Sequence, residues 1–306
     1  MKLTRRRFLK LSGLTALALT SSDLLEIDPL VEAGAKRGKE PAGMLIDITQ
    51  CIGCGMCEHA CRTKNNPDWV DEPVGGLSPT SWTYLRTVSL GEETPVAQGA
   101  EDSSTRFVRN QCFHCQDPAC ASACPVAALH KTPEAPVIYR AERCIGCRYC
   151  MVACPFGIPR YEWDRALPSV TKCSFCFDLV RAGEEPACSA ACPTGASRFG
   201  KRNDLLEEAR GRIAGAPDRY IDHIFGQREV GGTSFLFLSD VPFAKLGFRT
   251  GVPTVPMPAY TWQVMSKIPG AAAGMGLFLG AAFLYSNRSS RDRAAHQQES
   301  RKEAHL

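Results

Sequence analysis

Cys144-Ile145-Gly146-Cys147-Arg148-Tyr149-Cys150-Met151-Val152-Ala153-Cys154-Pro155 strings four cysteines at C-x2-C-x2-C-x3-C spacing and ends on a proline. The same spacing occurs upstream at Cys51, Cys54, Cys57 and Cys61. Between the two lie Cys112, Cys115, Cys120 and Cys124, followed by Pro125. A last quartet, Cys173, Cys176, Cys188 and Cys192, precedes Pro193. These four groups use all 16 cysteines of the 306-residue chain. Small disulfide scaffolds are much shorter than this. Disulfides also do not generate repeated C-x2-C-x2-C-x3-C-Pro runs. A structural zinc site needs two separated C-x2-C pairs, which would make the third cysteine redundant.

Four thiolates at such spacing suit a cubane iron–sulfur cluster, which takes one thiolate per iron. Two-residue gaps let a tight loop wrap the cube. Gly53 and Gly146 allow the backbone to come close enough for its N–H groups to bond the sulfurs. The pattern predicts four 4Fe–4S clusters. In bacterial two-cluster ferredoxins the cysteine before proline ligates the neighbouring cluster. On that arrangement Cys51, Cys54, Cys57 and Cys192 hold cluster 1, and Cys173, Cys176, Cys188 and Cys61 hold cluster 2. Cys112, Cys115, Cys120 and Cys154 hold cluster 3, and Cys144, Cys147, Cys150 and Cys124 hold cluster 4. Cys61 departs from the pattern, being followed by Arg62.

The expected fold is α+β, with two interlocked ferredoxin-like units. One unit, residues 106–154, is inserted into another built from 36–61 and 155–239. Residues 43–48 and 137–140 read as strands feeding cluster loops, and 234–238 as a further strand. Residues 62–105, rich in Pro, Gly, Ser and acidic groups, read as a surface insertion. Asn203–Ile213 reads as a short helix capped by Asn203. Residues 240–267 read as an extended, proline-rich connector. His114 is expected to face solvent, and Phe113, Tyr149, Phe156 and Phe175 to keep water from the clusters.

The two ends carry a second message. Arg5, Arg6 and Phe8 precede a weak apolar run and Ala33-Gly34-Ala35, as in a twin-arginine (Tat) export signal over residues 1–35. Ile268–Tyr285 is uncharged and as a helix would span about 27 Å, close to a bilayer's hydrocarbon core. This predicts a transmembrane helix over 268–286, with Trp262 and Tyr285 near its interfaces. Gly270 with Gly274, and Gly276 with Gly280, form small-xxx-small pairs suited to helix packing in lipid. Arg288, Arg291 and Arg293 follow the run, so the 287–306 tail is expected in the cytoplasm and the rest in the periplasm.

The formal charge of +4 is concentrated at those ends, and residues 36–285 are almost neutral. That is too little to track phosphates, which excludes a nucleic-acid partner. No Ser-His-Asp set, paired-carboxylate signature, P-loop or Rossmann spacing is present. A catalytic cluster would need an unligated iron, and here every site is filled. The chain reads as a non-catalytic electron carrier.

With its four groups in this order from Cys51 to Cys192, the chain resembles the four-cluster iron–sulfur subunits of periplasm-facing respiratory complexes. The export signal, Gly43-Met44-Leu45, the Cys147–Pro155 stretch, Phe225-Gly226, Gly231-Gly232-Thr233 and the single C-terminal helix resemble the hydrogenase-2 electron-transfer subunits most. The resemblance implies a periplasmic nickel–iron hydrogenase as catalytic partner and a multi-helix, quinone-reactive membrane subunit. The equivalent subunit of formate dehydrogenase or another molybdopterin oxidoreductase is the alternative. Either way the protein is expected in the inner membrane, single-pass, exported by the Tat route.

Overall fold

A short apolar strand, β1 (Ala42–Asp47), is the centre of the main sheet. It pairs antiparallel with β8 (Ser197–Lys201) and parallel with β9 (Phe235–Leu238). Alternation sends Met44, Ile46, Phe235 and Phe237 to one face, where they pack with Val108, Phe113, Phe175, Phe225 and Phe243. Leu45, Leu236 and Leu238 take the other face, covered by Leu205, Leu206 and Ala209 of α6 (Arg202–Gly215). Both faces are buried, so β9 is a continuous apolar run with no polar alternation. Each fully buried Phe or Leu contributes about 1.5–3 kcal/mol.

The computed structural model describes residues 40–65, 75–91, 94–95, 97, 104–166 and 168–303. The expected export signal, including Arg5, Arg6 and Phe8, lies outside the described residues, as does part of 62–105.

α6 begins where β8 ends, and this displaces the expected cap. Lys201 occupies the N-cap position without a side-chain bond. The Arg202 N–H donates instead to the Pro41 carbonyl at 2.9 Å, so Asn203 sits inside the first turn.

Residues 62–105 are more than a surface insertion. β2 (Tyr84–Ser89) pairs antiparallel along its full length with β3 (Thr105–Asn110). Ser81 and Thr83 are buried, and Leu77, Trp82 and Val88 pack on the main core. The β-favouring run at 84–88 outweighs its flexible flanks.

The cysteine groups are carried by one-to-three-turn helices: α1 (Met56–Asn65), α2 (Ala119–Ser122), α3 (Tyr149–Ala153), α4 (Phe177–Ala182) and α5 (Ala187–Ala190). α1 packs on α5, and α2 on α3. Short antiparallel ladders follow the second and third groups, β4 (Leu129–Lys131) with β5 (Val137–Tyr139) and β6 (Arg160–Tyr161) with β7 (Val170–Thr171).

The expected connector folds back on the core over its first part. Val241, Phe243 and Leu246 are buried, and Phe248 joins the aromatic cluster of Phe225, Phe237 and Phe243. The Val230 N–H donates to Pro253 O at 2.7 Å and that of Gly231 to Thr254 O at 2.9 Å. Apolar side chains between the prolines have a core to join, so the segment does not extend.

The chain divides into one unit reaching Ala259 and another that includes Tyr260 onward. In the latter, α7 (Met257–Met265) precedes α8 (Ile268–Glu303). Met257–Arg288 is long and apolar enough to cross a membrane, with mean hydropathy 1.5 and nothing buried. α8 continues past Tyr285, so most of the expected tail is helical; no proline or glycine interrupts it there.

Candidate metal centres

The Asp47 carboxylate, at the end of β1, launches the first cysteine loop. It accepts from Thr49 N at 3.1 Å and Thr49 Oγ1 at 2.6 Å, and from Arg212 Nη1 and Tyr220 OH at 2.8 Å each. The resulting 3-10 turn delivers Cys51.

In every group the residue just before the second cysteine is left-handed: Gly53 (φ 74°), His114 (φ 49°), Gly146 (φ 70°) and Phe175 (φ 58°). This turns that residue's N–H toward the first sulfur. Gly146 N lies 3.4 Å from Cys144 Sγ, and Phe175 N lies 3.3 Å from Cys173 Sγ. At Gly53 a Cβ would also stand 2.5 Å from the Phe107 ring, so glycine is required twice over.

A second turn recurs after the cysteine–proline pairs. Ala127, Gly157 and Gly195 each lie three residues beyond the cysteine and each has positive φ. The turn aims N–H groups back at the sulfur, and Ala128 N is 3.2 Å from Cys124 Sγ. Burial pushes the Cys124 and Cys192 thiols up. The N–H groups of Leu129, Val126, Ala128 and Ala127 on the former, and of Ser197, Thr194 and Ala196 on the latter, outweigh it. Both end below the usual thiol range.

Cys61 differs because Arg62 is not proline. α1 runs straight through it for another turn, and Asn65 Nδ2 reaches back to Cys61 O at 2.9 Å and Sγ at 3.6 Å. Thr83 Oγ1 lies 3.4 Å from the same sulfur, a contact supplied by the segment expected to be an insertion. Burial still pushes this thiol up to about 12.

No disulfide joins any two of the sixteen cysteines. Cys51, Cys54, Cys57 and Cys192 line a single cavity with Phe107, Leu85 and Arg109. Elsewhere the cysteines nearest one another in the fold add to the effect of burial. After burial, Cys61 is raised by Cys188 and Cys176; Cys115 by Cys112, Cys154 and Cys120; Cys150 by Cys144, Cys124 and Cys147. Among the described residues no three His, Cys, Asp or Glu side chains converge as they would on one mononuclear ion.

His114 is not at the surface. It is fully buried beside Phe175 and Phe235, with ring centroids 5.1 and 5.6 Å away. Its Nδ1 accepts from Val137 N at 2.9 Å, which puts its proton on Nε2. Burial, with the charges of Lys172 and Lys131, holds it neutral, far below the usual imidazole range. Phe113 and Phe175 are buried as expected. Tyr149 is instead 62% exposed. Gly270, Gly274, Gly276 and Gly280 lie on α8, exposed, with open space around each.

Comparison with known proteins places these sites in a family. Residues 103–202 match the 4Fe-4S dicluster domain. A protein of Nitratidesulfovibrio vulgaris is 37% identical across 98% of this chain and 81% of its own. The hydrogenase-2 operon protein HybA of Escherichia coli O157:H7 is 32% identical over 80% of this chain and 83% of its own. The iron–sulfur subunit of the nitrate-inducible formate dehydrogenase of Escherichia coli K12 is 34% identical over 81% and 85%. This chain belongs to the iron–sulfur electron-transfer subunits of respiratory oxidoreductases.

An iron–sulfur electron-transfer subunit must accommodate anionic centres in a dry interior, and the buried cations here fit that demand. Arg109 is 3% exposed, and its Nε and Nη2 find no oxygen or nitrogen partner among the described residues. Lys172 is also buried and, among the described residues, donates to the carbonyls of Val137 and Cys173. Lys131 is half-buried and donates to His114 O and Ser234 Oγ; desolvation drives it down to about 7, so at neutral pH it is charged only in part. None of these three pairs with a carboxylate among the described residues. No motif pointed to them in sequence, because isolated Lys and Arg in polar-looking stretches carry no spacing signal.

Proposed function

We propose that this subunit relays single electrons through four 4Fe–4S clusters, between a periplasmic catalytic subunit and a quinone-reactive membrane subunit. Cys51, Cys54, Cys57 and Cys192 hold the first; Cys173, Cys176, Cys188 and Cys61 the second. Cys112, Cys115, Cys120 and Cys154 hold the third; Cys144, Cys147, Cys150 and Cys124 the fourth. Such a cluster, when bound, takes up or gives back one electron without breaking a bond. The protein's part is to hold each in place, bond its sulfurs with N–H groups and exclude water.

The reading is supported by geometry: Cys51, Cys54, Cys57 and Cys192 line one cavity although far apart in sequence, and α1 packs on α5 as α2 does on α3, so we read the four sets as a single file. Cys57 of the first set feels the charge of Cys188 of the second. Cys173 of the second feels Cys112 of the third, and Cys120 of the third feels Cys150 of the fourth. The two ends of this file carry the exposed thiols, Cys54 and Cys147. Exposed apolar side chains surround each, Ile52 and Met56 at one end and Ile145, Tyr149 and Val152 at the other. Such patches suit docking of an electron donor at one end and an acceptor at the other.

Tat export through Arg5 and Arg6 and a single α8 anchor would put the relay on the periplasmic face of the inner membrane. A nickel–iron hydrogenase is the preferred catalytic partner, since HybA bears the hydrogenase-2 operon's name. The formate dehydrogenase subunits support a molybdopterin partner as the second reading. Anaerobic purification of the complex in mild detergent tests both points. About sixteen irons with matching labile sulfide per chain are expected; four or fewer overturn the relay. Co-purifying nickel supports the hydrogenase, and molybdenum replaces it with the alternative.

A further inference from the structure

β3 carries two buried arginines with opposite fates. Arg106 is paired with the Asp240 carboxylate, Nη2 to Oδ2 2.5 Å. Arg109 has no carboxylate. Its Nη1 donates to Ser197 Oγ at 3.0 Å, and its guanidinium lies 5.9 Å from the centroid of the Phe235 ring. Among the described residues its Nε and Nη2 find no oxygen or nitrogen partner, while the guanidinium lies in hydrogen-bond reach of the Cys57 thiol. A fully buried guanidinium without a carboxylate is costly unless an anion lies beside it. The surroundings name that anion. Arg109 lines the cavity of Cys51, Cys54, Cys57 and Cys192, and its charge also reaches Cys188 and Cys173 of the adjoining set. It therefore stands where the first two sets meet.

We propose that Arg109 sets the reduction potentials of the two clusters held by Cys51, Cys54, Cys57 and Cys192 and by Cys173, Cys176, Cys188 and Cys61. The inference rests on the cluster assignment above. Reduction of a cluster adds one electron and no proton, so each gains one unit of negative charge. A fixed cation in a low-dielectric site favours the reduced form of both. Because one guanidinium serves both, it raises the two potentials together.

The test uses the full complex, purified anaerobically with Arg109, Arg109→Lys or Arg109→Gln, and titrated with dithionite while electron paramagnetic resonance follows each centre. Arg109→Gln should retain the iron of the parent and make two of the four centres at least tenfold harder to reduce, a fall of about 59 mV or more for one electron. Arg109→Lys, which keeps the charge, should restore most of that. Equal potentials in all three proteins overturn the proposal, as does a fall in Arg109→Lys as large as in Arg109→Gln. Iron lost only from Arg109→Gln would assign the charge to assembly and overturn the potential-setting role. A parent protein lacking four clusters would instead refute the relay itself, which separates the two failures.

Discussion

Arg106 and Asp240 form an ion pair with side chains only 7% and 2% exposed. Arg106 Nε also donates to both carboxylate oxygens, at 3.1 and 3.0 Å. The pair fastens β3 to the segment following β9, in the stretch expected to be a loose connector. Removing one member leaves the other charged and buried, a loss of about 3–5 kcal/mol. Asp240→Ala should lower the temperature at which the iron–sulfur absorbance bleaches. Adding Arg106→Met should recover part of that loss, and a further fall instead would refute a paired-charge explanation.

Gly53 and Gly146 occupy matching loop positions, yet alanine should not be tolerated equally. Both substitutions force a side chain into left-handed backbone, costing roughly 1–2 kcal/mol. At Gly146 the new methyl meets only the Tyr161 hydroxyl at 3.1 Å, whereas at Gly53 it strikes the Phe107 ring. Gly53→Ala should therefore yield protein short of iron, while Gly146→Ala keeps most of it. Iron analysis of the two variants side by side decides the matter, and equal iron content would count against the steric account.

His114 serves as an acceptor for a backbone donor. His114→Phe preserves the aromatic stacking but strands the buried Val137 N–H, at a cost of about 1–3 kcal/mol. Hydrogen exchange at the Val137 amide should accelerate roughly tenfold or more, since 1.4 kcal/mol is a factor of ten. An unchanged exchange rate would show that the bond is not made in solution.

The cysteine quartets, β1 and β9 could be read from spacing and apolar runs because those signals are local. His114 and Phe175 could not be assigned left-handed backbone, since only glycine advertises that conformation, and only Gly53 and Gly146 did so. The fate of 62–105 was hidden by its composition; Tyr84–Ser89 finds its partner strand only after the chain returns at Thr105. Arg109 was invisible for a different reason. Its burial depends on Cys57, Cys173, Cys188 and Ser197, which are brought together only by the fold.

α8 offers a test of the membrane anchor. Phe278 lies near the middle of the apolar stretch and is exposed. Phe278→Arg should penalise insertion by about 2.5–3.5 kcal/mol. A larger fraction of the protein should then be released from membranes by alkaline carbonate. Full retention in the pellet would mean that α8 is not what holds it there.

Cys54 and Cys147 are the only exposed thiols, at the two ends of the proposed file, while Cys61, Cys112, Cys150, Cys173 and Cys176 are buried. Dioxygen and other small oxidants thus reach the terminal corners first. Air damage would begin at the extremities and sever communication with both neighbours while the interior was still intact. A partly bleached preparation would then retain colour yet conduct nothing.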